Sequence, residues 1–351
     1  MGRKIIMVDN KKSIDKLFLC IKRKDKLTEF KKAFGLNNIN TEEYLVKFVA
    51  NFYKAPIVNY KGYINGSKNL CSEVIAKTLV SEDLVKEWGK LKPVRPNHFD
   101  TDHTPTQTEL SITNRKEEIL AKLLFYQGEV KDLGYIFDYQ TPLKKTKDDS
   151  YGKIDLLGYN SKDKCYSIIE LKYRPSGSEE TLLRCVLEAY TYYKLFDLNQ
   201  IESAQDHNGI TELRGLKNYK HTKNAELVIL FDEKSRAKND GGENSNLMLR
   251  IDLPNKDKAD ITKKVNYPSK TVESQQHKEC QELLTTDKRD SLRILCEAIL
   301  KQEPHLKQIR FVVLRADTDS KSSYPTNIKG WSRKLDRLYR AETLLTIPSK
   351  G

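Results

Sequence analysis

The chain reads as an α/β protein, a mixed β-sheet flanked by helices, with a mainly helical N-terminal region. Three observations predict this. Residues 151–174 hold two apolar, strand-favouring runs joined by the turn formers Asn160, Ser161, Lys162 and Asp163. Residues 225–231 (AELVILF) and 309–314 (IRFVVL) are short, unbroken apolar runs of the kind buried in central strands. Stretches with apolar residues at helical spacing separate these runs, and strands joined by helices stack into an α/β sandwich.

Taken in order, residues 1–105 predict helices over 13–34, 41–53 and 69–91, broken at Gly35, Pro56 and the stretch from Gly62 to Gly66. A linker rich in Pro, Thr and Asp leads into a domain over 106–320. Its first helix is expected over 114–127, with Asn114 and Glu117 as a capping box and Ile119, Leu120, Leu123 and Leu124 as the buried face. Glu117 borders that face, while Glu118 points away from it. A strand is expected over 134–139, then a basic loop, then the paired runs. Ser176 and Glu179 offer a second capping box, for a helix reaching to about residue 196. Its apolar side is Leu182, Leu183, Val186, Ala189, Tyr190 and Tyr193, with Glu188 and Tyr192 off that side. Another helix is expected over 275–301.

Residues 321–351 read as a basic C-terminal segment with a helix over 330–345. Trp331, Leu335, Leu338 and Leu345 fall on one side of it. Arg333, Arg337 and Arg340 fall on the other at i, i+4 and i+7, a stripe suited to phosphate contacts. A solvated basic face is the plainer alternative.

Among 351 residues, 38% are hydrophobic and 32% charged, which describes a soluble globular protein. The formal net charge of +13 points to a polyanionic partner, nucleic acid or an anionic surface. The six cysteines are widely spaced with no CxxC pair, which excludes zinc-ribbon and dithiol redox motifs and suits buried free thiols. The opening residues carry too short an apolar run for a signal peptide, and no run is long enough to span a bilayer. The expected location is the cytoplasm, with no membrane partner.

The chemistry lies in the paired runs. Side chains alternate faces along a strand, so Ile168, Glu170 and Lys172 point one way and Ile169 and Leu171 the other. On the preceding run Asp155 shares its face with Lys153 and Leu157. If the runs pair as a hairpin, Asp155 and Glu170 come together with an ammonium beside them. Burying these charges costs free energy that a bound cation or substrate can offset. Two carboxylates suit a hard divalent cation held through oxygen, and a lysine can orient a water and offset transition-state charge. The reaction these parts fit is phosphodiester hydrolysis.

The stretches Gly152-Lys153-Ile154-Asp155-Leu156-Leu157 and Ile168-Ile169-Glu170-Leu171-Lys172 together resemble the signature of the PD-(D/E)xK, or restriction-endonuclease-like, nuclease superfamily. The resemblance implies a restriction-endonuclease-like core and a Mg²⁺ (or Mn²⁺) held by Asp155, Glu170 and the Leu171 carbonyl. It further implies Lys172 as the catalytic lysine and Glu117 as a further acid. Some branches, the RecB-like ones among them, place Gln-x-x-x-Tyr on the next helix. Glu188 stands where that glutamine would be, four residues before Tyr192, and a solvated glutamate is the expected reading. Lys153, Arg174 and the three C-terminal arginines are the expected nucleic-acid contacts. The expected activity is that of a metal-dependent nuclease acting on DNA, in restriction, defence or repair, and dimers are frequent in that superfamily. The alternative is a catalytically silent nucleic-acid-binding protein of the same fold.

Overall fold

A computed structural model describes residues 10–22, 47–60, 63–67, 69–94, 99, 116–143, 151–173, 180–205, 207–232, 290–317 and 338–350. After a short strand the sequence did not announce, β1 (Glu129–Val130), strands form where alternation and apolar runs place them: β2 (Gly134–Pro142), β3 (Lys153–Asn160), β4 (Cys165–Lys172), β5 (Ala225–Asp232) and β6 (Leu306–Ala316). A further strand, β7 (Tyr339–Pro348), completes a seven-stranded mixed sheet whose spatial order is the chain order. β1 to β4 run antiparallel to one another, β4, β5 and β6 are parallel, and β7 returns antiparallel.

The longer α-helices among the described residues are α1 (Asn10–Lys22), α2 (Cys71–Ser81), α3 (Lys116–Gln127), α4 (Leu182–Leu195), α5 (Asn208–Gly215) and α6 (Asp290–Gln302). They cover both faces of the sheet. On one face Ile119, Leu120, Leu123 and Leu124 of α3 pack on Leu156, Ile169, Leu171, Val228 and Leu230. On the other, α4, α6 and the N-terminal residues join Leu157, Ile168, Leu227, Ile229 and Phe311 in a larger core. The strand alternation read from the sequence is therefore the partition between two cores. The sheet also curls around α3. Lys131, after β1, bridges Arg340 of β7, the Ala341 N–H donates to the Lys131 carbonyl at 2.8 Å, and Gln127 at the end of α3 bonds both backbone groups of Tyr339.

The N-terminal region enters the same core. Trp88 lies fully buried, donating from Nε1 to Thr191 Oγ1 at 2.9 Å and stacking on Tyr190, and Thr181 donates its hydroxyl to the Val58 carbonyl. Cys71, Cys165, Cys185 and Cys296 are buried free thiols. No helix among the described residues is long and apolar enough to cross a membrane.

Three expectations need correction. Of the helix expected over 330–345, the part within the described residues is not helical, because Tyr339–Pro348 is a strand with Tyr339, Ala341, Leu344 and Ile347 buried. The open edge of β6 supplies unpaired backbone groups, and this tertiary demand outweighs a weak helical spacing. Arg340 therefore lies opposite Arg315 in the sheet instead of on a helical arginine stripe, while Arg333 and Arg337 lie outside the described residues. The helix after the paired strands starts later than expected. Thr181 is its N-cap, accepting the Arg184 N–H at 3.1 Å, and residues 174–179, with Arg174, Ser176 and Glu179, lie outside the described residues. Finally, α4 is buried almost throughout, Glu188 and Tyr192 included, so neither is a solvated residue.

Candidate active site

The hairpin of β3 and β4 sets the geometry. Its turn is made by Asn160, whose Oδ1 accepts the N–H groups of Lys162 and Asp163. Pairing runs from Asn160 opposite Cys165 to Leu156 opposite Ile169 and then stops, although β3 begins at Lys153 and β4 ends at Lys172. The strands part just where the next pair would be Asp155 and Glu170. Asp155 fills the gap: its Oδ2 accepts the Leu171 N–H at 2.9 Å, replacing the lost ladder bond, and its Oδ1 accepts from Gln140 Nε2 at 3.0 Å. In an extended strand the N–H and C=O of one residue face the same side, so the Leu171 carbonyl looks towards the same gap.

Gln140 comes from β2, between Tyr139 and Thr141, which pair with Leu156 and Ile154 on either side of Asp155. It holds φ at +50°, an uncommon conformation for a residue with a side chain and one that is kept where surrounding structure enforces it.

Glu170 and Lys172 both lie on the face of β4 that meets α4. Lys172 Nζ contacts Glu170 Oε1, lies 2.9 Å from Glu180 Oε2 and 3.7 Å from Glu188 Oε2. Arg184 lies 3.2 Å from Glu180 and 3.7 Å from Glu188. The Tyr192 hydroxyl donates to Glu188 Oε1 at 2.9 Å, and Tyr53, from the N-terminal region, lies hydroxyl to hydroxyl with Tyr192 at 3.3 Å. Gly152, at φ +98°, sits so close to Tyr192 that a Cβ there would lie 2.7 Å from its hydroxyl. On the other face, Glu117 in the first turn of α3 accepts the Tyr173 N–H at 3.0 Å, which ties α3 to the end of β4. Glu118 faces away and pairs with Lys122.

Electrostatics mark this cluster as overloaded with acid. Burial pushes the Asp155 carboxyl up to about 7, with Lys172 opposing and Glu117 adding to the rise. Burial and then the Glu188 charge hold Glu170 well above the ordinary carboxylate value, and burial raises Glu117 as well. For Glu188 burial also acts upwards, but Lys172, hydrogen bonding with Glu170 and Arg184 outweigh it and the net shift is down. Lys172 is driven the opposite way to its burial, well above its ordinary value, by Glu170, Glu188 and Glu180. Glu188 Oε2 is buried with no hydrogen-bond partner.

The structure thus brings Asp155, Glu170, Lys172, Glu117, Glu188 and Tyr192 together, with the Leu171 backbone. Lys153 is exposed at the start of β3, two residues from Asp155. Arg340 lies far along the chain on β7, as described. Sequence reasoning missed Gln140, Tyr53, Glu180 and Arg184. For the last two a signal existed, since Glu180, Arg184, Glu188 and Tyr192 recur every four residues, the spacing that makes neighbours along a helix. Gln140 and Tyr53 carried none, because their roles depend on register and on packing between distant segments.

The oxygen donors suit a hard cation. One carboxylate oxygen each from Glu170, Glu180 and Glu188 lies within 4.8 Å of the others, a grouping that can hold a metal ion. Comparison with known proteins finds no matching family model, curated protein or solved structure.

Proposed function

We propose that the chain is a metal-dependent nuclease of the PD-(D/E)xK type, with a restriction-endonuclease-like core, hydrolysing phosphodiester bonds in DNA. The observation that carries this reading is the parting of β3 and β4, with buried Asp155 and Glu170 at the gap and Lys172 in contact with Glu170. Burying these ions costs on the order of several kcal/mol each, and a scaffold gains nothing from an excess of acid there.

A Mg²⁺ or Mn²⁺ bound by Asp155, Glu170 and the Leu171 carbonyl would polarise the phosphate and acidify a water. The chain's own groups do the rest. The Leu171 N–H and the Gln140 amide fix the rotamer of Asp155, so that its oxygens need no reorganisation. Lys172 brings an ammonium to orient the attacking water and offset charge gathering on the phosphoryl oxygens. Tyr192 and Arg184 hold Glu188 against Lys172. Water adds to phosphorus and the bond to the 3′ oxygen breaks, leaving a 5′-phosphate and a 3′-hydroxyl. Exposed Lys153 beside the gap suits a backbone phosphate. The net charge of +13 supports a nucleic-acid partner.

The test is cleavage of plasmid, linear and single-stranded DNA with Mg²⁺ or Mn²⁺, beside Asp155→Asn and Lys172→Ala. Cutting by the parent that both substitutions abolish supports the reading. Cutting that survives both sinks it. Salt-dependent binding with no cleavage on any substrate would favour a silent nucleic-acid-binding protein.

A further inference from the structure

We propose that Glu170, Glu180 and Glu188 form a second divalent-cation site, which the Lys172 ammonium occupies until a cation displaces it. The inference deepens the nuclease reading and rests on it for the role of Lys172, though not for the cation site itself.

The geometry is that of a three-oxygen cage with an imperfect occupant. Lys172 Nζ touches Glu170 Oε1 and lies 2.9 Å from Glu180 Oε2, but it remains 3.7 Å from Glu188 Oε2. Arg184 Nε stays equally far from that oxygen. Glu188 is 6% exposed, and its Oε2, buried and turned into the cage, has no hydrogen-bond partner. A buried carboxylate oxygen left without a hydrogen-bond donor is costly, and Lys172 and Arg184, which balance its charge, both stay 3.7 Å away, beyond hydrogen-bond distance. A divalent ion among three oxygens that lie within 4.8 Å of one another would meet all three.

This position differs from the one at Asp155. Asp155 already accepts neutral donors from Leu171 and Gln140, and only Glu170 is common to both positions.

Charge bookkeeping argues the same way. When fully ionised, Asp155, Glu117, Glu170, Glu180 and Glu188 face Lys172 and Arg184, leaving three negative charges. One divalent cation leaves one, and a pocket that is still negative repels a phosphodiester. A second makes the pocket positive by one, which a phosphodiester monoanion neutralises. Displaced from the cage, the Lys172 ammonium is released towards the Asp155 side, where the proposed chemistry needs it.

The experiment is a Mn²⁺ titration of the full chain without nucleic acid, read by calorimetry and by electron paramagnetic resonance of free Mn²⁺. The parent is expected to bind two ions. Glu180→Gln should keep one, and Asp155→Asn should keep the other. Lys172→Met should bind the second ion about tenfold more tightly, since removing a competing occupant removes its tax on affinity. A gain of affinity cannot come from misfolding, and circular dichroism checks the other variants. One ion lost in Asp155→Asn, with Glu180→Gln and Lys172→Met unchanged, would overturn this inference and leave the nuclease reading standing. A parent that binds no Mn²⁺ would overturn both.

Discussion

The sheet buries charge at two places, and they are built on opposite plans. Towards the N-terminal end of β6, Arg310 reaches Glu226 on β5. Its five N–H donors all find acceptors: Glu226 twice, the carbonyls of Asp132 and Leu133, and Thr343 Oγ1. Glu226 in turn accepts from Ser167, Gln308 and Asn160. This cluster is balanced and saturated, and it ties the β1–β2 turn to β6 and β7, holding the curl of the sheet. At the other end, around Asp155 and Glu170, five carboxylates face two cations, three acids are shifted upwards, and a buried oxygen of Glu188 has no partner. Burial of charge alone does not distinguish a scaffold from a site. Completeness does, because a finished network has nothing left to offer a ligand.

The largest effect should come from breaking the finished network. Arg310→Met leaves Glu226 buried without its cation and should cost about 3–5 kcal/mol of stability, read by denaturant unfolding. A cost below about 1 kcal/mol would mean that the cluster is not a staple.

Next comes the unfinished one. Asp155→Asn should reduce cleavage by at least about 10²–10³-fold, yet unfold in chelator no more easily than the parent, since it removes a charge held against its preference. If its stability falls as far as that of Arg310→Met, the contrast between the clusters is lost.

A smaller effect should appear with pH. The carboxyls of Asp155, Glu170 and Glu117 are raised in the folded chain, so above the ordinary carboxylate range the unfolded chain has lost protons that the folded chain keeps. Metal-free stability should therefore fall as pH rises from about 4 to about 7, by up to ~1.4 kcal/mol per unit for each such group. Glu188, shifted down, acts below this window, and Lys172, shifted up, loses its contribution only in strongly alkaline solution. Melting temperatures in chelator should decline across the window, and Mg²⁺ should restore them at the alkaline end. A rise across the window contradicts the assignment.

The smallest test concerns support from the N-terminal region. Tyr53→Phe removes the 3.3 Å hydroxyl contact with Tyr192 and should cost about 1 kcal/mol with a modest loss of activity. An unchanged melting curve together with unchanged activity would detach that region from the site.

Much of the architecture was legible beforehand because alternation and apolar runs are local. Strands β2 to β6 appear where period two and the apolar runs place them, and the face that carries Ile168, Glu170 and Lys172 is the face the pattern assigns. The residues of the motif are likewise gathered at one end of the paired strands. Where the expectation failed, the deciding information was distant. Residues 339–348 take strand form because β6 offers an edge, an influence that reaches across more than 20 residues of chain. Glu188 looked like a surface acid because its helix was expected to have one wet side, whereas Tyr53, Tyr192 and β4 enclose it.

By itself, then, the sequence determined the strand periodicity, the hairpin turn and the proximity of Asp155 to Glu170, since each depends on residues close in the chain. Only the tertiary structure decided that β3 and β4 part at that pair, and that Gln140 and Leu171 grip Asp155. It alone made β7 a strand, and it enclosed Lys172 among three glutamates. Register, edge pairing and burial depend on which distant segments meet, and no local pattern records that.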